Sequence, residues 1–206
     1  MRITPWRRAL RVIGLVLLLD GCATAPPSTT KNLCQIFDEK SDWYEATLQT
    51  QKKWGVPIAV QMAILRHESA FVADARPPRE WFLGFIPLGR PSTAYGYSQA
   101  LDGTWEQYQQ RADQDGADRD EFEDAVDFVG WYTRQSSREL GISGTDAYRQ
   151  YLAYHEGQGG FRKGTYRQKP WLMGVAKQVA NTAKQYDRQL NGCRPEAFEF
   201  EALETD

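Results

Sequence analysis

Glu68 has the neighbours a working acid needs. Pro57 to Ser69 reads as a helix with Pro57 in its first turn. Glu68 stands near the end of that helix, one turn after Ile64 and three residues after Leu65. Those neighbours set its carboxyl beside an apolar face. Burial penalises the charged form, and the negative end of the helix dipole repels a carboxylate. A carboxyl placed this way stays protonated near neutral pH and can give its proton to a leaving group. Most helix glutamates are simply solvated, so these residues alone leave that reading open. Two other patterns fail on inspection. His67-Glu68 does not begin the zinc motif H-E-x-x-H, because Phe71 stands where the second His is needed. Gly96-Tyr97-Ser98-Gln99-Ala100 approximates the nucleophile elbow G-x-S-x-G, with His155 later in the chain. That elbow needs a buried strand before it, and Pro87-Leu88-Gly89-Arg90-Pro91-Ser92 cannot supply one.

The rest of the chain must position such a carboxyl. It has 206 residues, 41% hydrophobic and 13% aromatic, enough to bury one core. A formal charge of −2 shows no basic excess, so no nucleic-acid partner is expected. Two His and three Cys make neither a His-rich metal site nor a zinc cage, so neither metal nor cofactor is expected. Helical signals dominate. Ser41 can cap a helix running to Trp54, with Gly55 as its stop. Thr104 and Gln107 form a T-x-x-Q box that starts another. Phe122, Ala125, Val126, Val129, Tyr132, Thr133 and Ser136 recur at three-four spacing, which predicts a long amphipathic helix. Asp146 to His155 predicts a shorter one. Pro170 to Leu190 predicts another, with Met173, Ala176, Val179, Ala180, Ala183 and Leu190 inward and Gly192 beyond its end. No strand series or βαβ pattern appears, so the fold class is mainly α, with a small hairpin at most.

The N-terminus resembles a bacterial lipoprotein signal. Arg2, Arg7, Arg8 and Arg11 precede the short apolar run Val12–Leu19, and Leu19-Asp20-Gly21-Cys22 follows. The expected organisation is a signal peptide over 1–21, a lipidated Cys22 with a flexible spacer over 22–31, a domain over 32–194 and an acidic tail over 195–206. The implied location is the periplasmic face of the outer membrane, since Ala rather than Asp follows Cys22. Four of the 25 basic and one of the 27 acidic side chains fall in the leader, so the remainder carries net −5. Cys34 and Cys193 are then the remaining thiols. An exported compartment permits their oxidation, and a disulfide between the first helix and the last is expected; two buried free thiols are the alternative.

Three motifs in order resemble the lytic transglycosylases of the soluble, goose-lysozyme-like superfamily. Glu68-Ser69-Ala70-Phe71, followed by Asp74-Ala75-Arg76, resembles E-S-x-F-x-x-x-A. Ala94-Tyr95-Gly96-Tyr97-Ser98-Gln99 resembles the G-L-M-Q segment, and Leu101-Asp102-Gly103-Thr104-Trp105 the stretch after it. Ala153-Tyr154-His155-Glu156-Gly157 resembles A-Y-N-x-G. Order and spacing agree from about Trp43 to Tyr186. Tyr97-Ser98 replaces Leu-Met, His155 replaces Asn, and the segment after Glu68 is longer than usual. The resemblance implies a lysozyme-like domain with a substrate cleft. It implies Glu68 as catalytic acid and then base, cutting between N-acetylmuramic acid and N-acetylglucosamine of peptidoglycan strands with a 1,6-anhydro ring as product. It implies Ser69, Tyr95, Gly96, Ser98, Gln99, Tyr154 and His155 as substrate-binding positions. The substrate's own N-acetyl group would replace the second carboxylate that most glycosidases need. Glu80, Asp74 and Asp102 are the candidates if one exists. A hydrolytic muramidase and a glycan- or partner-binding lipoprotein without turnover are the competing readings.

One segment stands apart. Pro77 to Pro91 is bounded by Pro and Gly and carries Trp81, Phe82, Phe85 and Ile86, too apolar for an ordinary solvated loop. It is either folded onto the core, a wall of the binding groove, or a surface for an envelope protein.

Overall fold

The computed structural model describes residues 25–83 and 85–193. The expected leader, Cys22 and the expected acidic tail lie outside the described residues. Among the described residues, seven α-helices carry the fold: α1 (Leu33–Glu39), α2 (Ser41–Trp54), α3 (Ile58–Ser69), α4 (Asp102–Ala112), α5 (Phe122–Leu140), α6 (Ala147–Lys163) and α7 (Pro170–Leu190). A short 3₁₀ turn, Thr165–Gln168, joins the last two. Strands β1 (Glu80–Phe82) and β2 (Ile86–Gly89) pair antiparallel between α3 and α4. The architecture is the mainly helical, lysozyme-like single domain that the motifs imply.

The centre of the domain is α3. Every residue from Ile58 to Leu65 is buried, and α7, α5, α2 and α6 pack around it. A helix apolar on all sides belongs inside a core. Its one polar residue over that stretch, Gln61, donates from Nε2 to the carbonyls of Thr47 (3.2 Å) and Val56 (2.7 Å). Only the last turn of α3 emerges, and Glu68 is on it.

Periodicity located the inner faces well. All seven α5 positions expected to face inward are buried. On α7 the buried set is Leu172, Ala176, Val179, Thr182, Ala183 and Tyr186, so the inner face is centred slightly off the expected stripe. The helix starts were less legible. Ser41 lies inside α2 and makes no side-chain cap; the helix begins after Lys40 and stops at left-handed Gly55. The T-x-x-Q box does not form: α4 begins at Asp102, and Gln107 Nε2 donates to the Gly103 carbonyl. The helix expected to end at His155 continues to Lys163 after a break at Gly157.

The segment read as a flexible spacer is docked from Ser28 onward. Ser28 donates from its backbone N–H (2.8 Å) and its hydroxyl to Glu39 on α1. Tyr186 donates to the Thr30 carbonyl, and Gln185 to the Lys31 carbonyl (2.9 Å). Asn32 then caps α1, accepting from the backbone of Cys34 and Gln35. This correction has a simple cause: α7 carries side-chain donors opposite a chain with free carbonyls. Close by, Cys34 and Cys193 form the expected disulfide, with Cα atoms 5.9 Å apart and a separation of 159 positions in sequence. Closing so long a loop contributes on the order of 5 kcal/mol in the chain-entropy account.

Buried aromatic pairs tie the remaining helices together. Trp43 of α2 stacks on Phe122 of α5 with ring centres 3.9 Å apart. Asp127 on α5 accepts from Trp54 Nε1 (2.7 Å), Tyr108 Oη (2.8 Å) and Lys53 Nζ (3.0 Å), joining α2, α4 and α5. The apolar insertion does not fold onto the core as a whole: Leu83, Phe85, Ile86 and Leu88 on the hairpin are exposed. Strand β2 is therefore exposed too, unlike the buried strand that a nucleophile elbow requires.

Candidate active site

A cleft of about 400 Å³ opens between the end of α3, the start of α4, the middle of α5 and the kink of α6. Glu68 lines it together with Gln99, Tyr132, Tyr154, His155 and Glu156. Leu101, Thr104 and Phe128 supply much of the remaining wall.

Glu68 is placed by the end of the core helix. Ile64 and Leu65, its upstream neighbours, have no exposed surface. Its Oε1 is buried and without a hydrogen-bond partner. Desolvation pushes the carboxyl pKa up to about 7, and the Tyr151 hydroxyl beside it offsets only part of that. The group is therefore protonated over the range where an ordinary carboxyl is ionised. Two tyrosines of α6 feel it: burial first, and then the nearby Glu68 charge, raise both Tyr151 and Tyr154 above the usual phenol range. Both hydroxyls therefore remain protonated donors. Tyr154 donates to the Ser98 carbonyl (2.7 Å), which ties α6 to the turn before α4.

That turn is built from backbone constraints. Gly96 has φ +77°, and a Cβ there would lie 2.0 Å from the Arg119 carbonyl oxygen. Gln99 has φ +51° and spends its Nε2 on the carbonyls of Ala75 (2.9 Å) and Gly96 (2.8 Å). Its side chain thereby braces the turn while lining the cleft. Opposite, Gly157 breaks α6 with φ 73° and ψ 159°, a region essentially confined to glycine. The break ends the regular helix at the cleft, directly after His155 and Glu156.

Of the expected substrate-binding positions, Gln99, Tyr154 and His155 line the cleft with Glu68. Ser69, Tyr95, Gly96 and Ser98 do not. Ser69 is buried; its Oγ donates to Leu65 O (3.3 Å) and accepts from Phe71 N (3.1 Å), closing the end of α3. Tyr95 donates to Asp120 (2.7 Å) and packs against the Arg76 guanidinium. Gly96 serves the tight approach to Arg119. Ser98 is fully buried and offers its carbonyl to Tyr154. Tyr97, in place of the family's Leu, is core, edge-on to Trp43 and Phe122. His67 meets Thr182 Oγ1 at 3.1 Å and joins α3 to α7.

Sequence reasoning missed Glu156. Its carboxylate is almost fully buried and lines the same cleft. Burial alone would raise its pKa. Hydrogen bonds from Lys169, Thr165 and His155 outweigh that and hold it at about 2. The candidates Glu80, Asp74 and Asp102 are absent from the lining. Tyr151 was missed as well, although it precedes Tyr154 by three residues and so shares its helix face. For Glu156 the available signal was its place inside A-Y-H-E-G, beside a residue already singled out.

A helical, lysozyme-like domain with a cleft and a buried carboxyl at the end of its core helix has the build of a glycan-cleaving enzyme. Residues 10–193 match the family described as Transglycosylase SLT domain. The chain belongs to that family, and at family level it is a transglycosylase-type enzyme acting on peptidoglycan glycan. Neither a curated protein nor a solved structure matches it.

Proposed function

We propose that the protein is a peptidoglycan lytic transglycosylase that cuts the bond between N-acetylmuramic acid and N-acetylglucosamine and leaves 1,6-anhydro ends. The observation that carries this reading is the Glu68 carboxyl, held near pKa 7 in the wall of the cleft. Glu68 protonates the glycosidic oxygen as the C1–O bond breaks. The substrate's N-acetyl oxygen meets the positive charge that develops at C1. Glu68, now a carboxylate, takes the proton of the C6 hydroxyl, whose oxygen bonds to C1 and closes the ring. The carboxyl ends protonated, so one residue serves as acid and base and no water is consumed. Glu156 does not fit the part of nucleophile, since both its oxygens already accept hydrogen bonds.

Location belongs to the same proposal. No helix among the described residues is long and apolar enough to cross a membrane. A lipid on Cys22 would hold the domain at the outer membrane, with Ser28 already docked and only a few residues between. The exposed apolar hairpin would then be offered to an envelope protein. Digestion of purified sacculi followed by mass spectrometry of the products tests the activity. Anhydro-ended muropeptides are expected. Reducing ends would convert the reading to a hydrolytic muramidase, and absence of products to a binding role. Radiolabelled palmitate should enter the wild-type chain and not Cys22→Ala.

A further inference from the structure

His155 and Glu156 are consecutive on the last regular turn of α6 before the Gly157 break. The two side chains meet at 3.1 Å, His155 Nδ1 to Glu156 Oε1. That same oxygen accepts from Lys169 Nζ at 2.7 Å, and the other accepts from Thr165. The carboxylate is therefore clamped from three sides and is almost entirely buried, while His155 remains about a third exposed in the cleft wall. An ionised carboxylate only accepts hydrogen bonds, so the proton between the two residues must belong to Nδ1. In a neutral imidazole this leaves the lone pair on Nε2, for which the described residues provide no partner. The ring is further fixed by edge contact with Trp171, centroids 5.2 Å apart, and that indole is 59% exposed.

We propose that Glu156 is a positioning residue for glycan recognition: it sets the tautomer and angle of His155 so that Nε2 accepts a hydrogen bond from an acetamido N–H or a hydroxyl of the strand. Trp171 supplies an apolar face beside it on which a pyranose ring can lie. The inference rests on the glycan-cleaving reading for its ligand, but not on catalysis.

The test reads the ring directly. The chain has two His, so His155→Asn assigns the spectrum of each. In ¹⁵N-edited spectra of the full chain at about pH 8.5, His155 should appear as the Nδ1–H tautomer. Addition of N-acetylglucosamine tetramer should move its Nε2 and leave His67 in place. Glu156→Gln should erase the tautomer preference and weaken tetramer binding about tenfold, the size expected for one charge-assisted hydrogen bond. Made in the His155→Asn background, the same change should cost less than about twofold, because the coupling energy resides in the pair. An Nε2–H tautomer in the parent, a His155 ring indifferent to the tetramer, or an equal loss in both backgrounds would overturn the inference. The last result would leave Glu156 only a clamp for the α6 kink. A protein that binds the tetramer through His155 yet never cuts sacculi would sink the role of Glu68 and leave this inference standing.

Discussion

Two glutamates face one cleft and are prepared in opposite ways. Glu68 ends a helix that is otherwise core. Its Oε1 meets no donor, and burial holds its pKa near 7. Glu156 sits at a break in a helix, has a side chain with little exposed surface, and is held near 2 by three donors. Burial is common to both, so burial does not decide the protonation state. The supply of hydrogen-bond donors does. When two carboxyls in one site are pushed apart like this, the raised one is the proton donor and the lowered one a fixed charge.

The largest test of that contrast is Glu68→Gln. It should lower turnover of sacculi by about 10³-fold, within the usual range for loss of a general acid, with helix content unchanged by circular dichroism. A fully active variant would move the chemistry elsewhere. Next is the pH profile. If Glu68 is the acid proposed above, its protonated form starts the cycle, and the rate should fall as pH rises through about 7. A rate constant across that limb would contradict the acid role.

Stability offers a third handle, and its sign is fixed by linkage. The folded pKa of Glu68 lies above the ordinary 4.5. Between those two values the native state binds more protons than the unfolded chain, so its stability declines as pH rises. Glu68→Gln removes that loss. At pH 8 the variant should therefore be more stable than the parent, on the order of 3 kcal/mol in urea unfolding, with the gain vanishing near pH 4. Glu156 runs the other way: its contribution is present above about pH 4.5 and lost as pH falls toward 2. The smallest effect is expected from Tyr151→Phe. The hydroxyl lowers the Glu68 pKa, so its removal should shift the falling limb of the rate profile to higher pH. A shift to lower pH would show that Tyr151 stabilises the protonated acid.

The fold was legible because its signals are local. Three-four spacing marked α5 and α7, and Gly55 marked the end of α2, since a left-handed residue is cheapest as glycine. Helix starts were harder, because a Ser or Thr caps only when its own φ and ψ permit it, and neighbours decide that. Ser41 and Thr104 show this: both are good cap residues, and both lie inside their helices. The docked Ser28–Lys31 segment was hidden for another reason. Its partners, Glu39 and the side chains of α7, are remote in sequence or carry no periodic signal.

The sequence by itself determined that a glutamate lies near a helix end beside apolar neighbours, that its motifs resemble a family's in order, and that Cys34 and Cys193 are the two cysteines within the expected domain. Each follows from residue type and spacing along one element. Only the tertiary structure decided which motif residues reach the cleft. Ser69, Tyr95, Gly96 and Ser98 turn out to hold the scaffold, while Glu156 and Tyr151 come to the site. A side chain's role depends on which donors and which surfaces meet it, and those arrive from α3, α5, α6 and the segment before α7. No local pattern encodes their meeting; packing around α3 does.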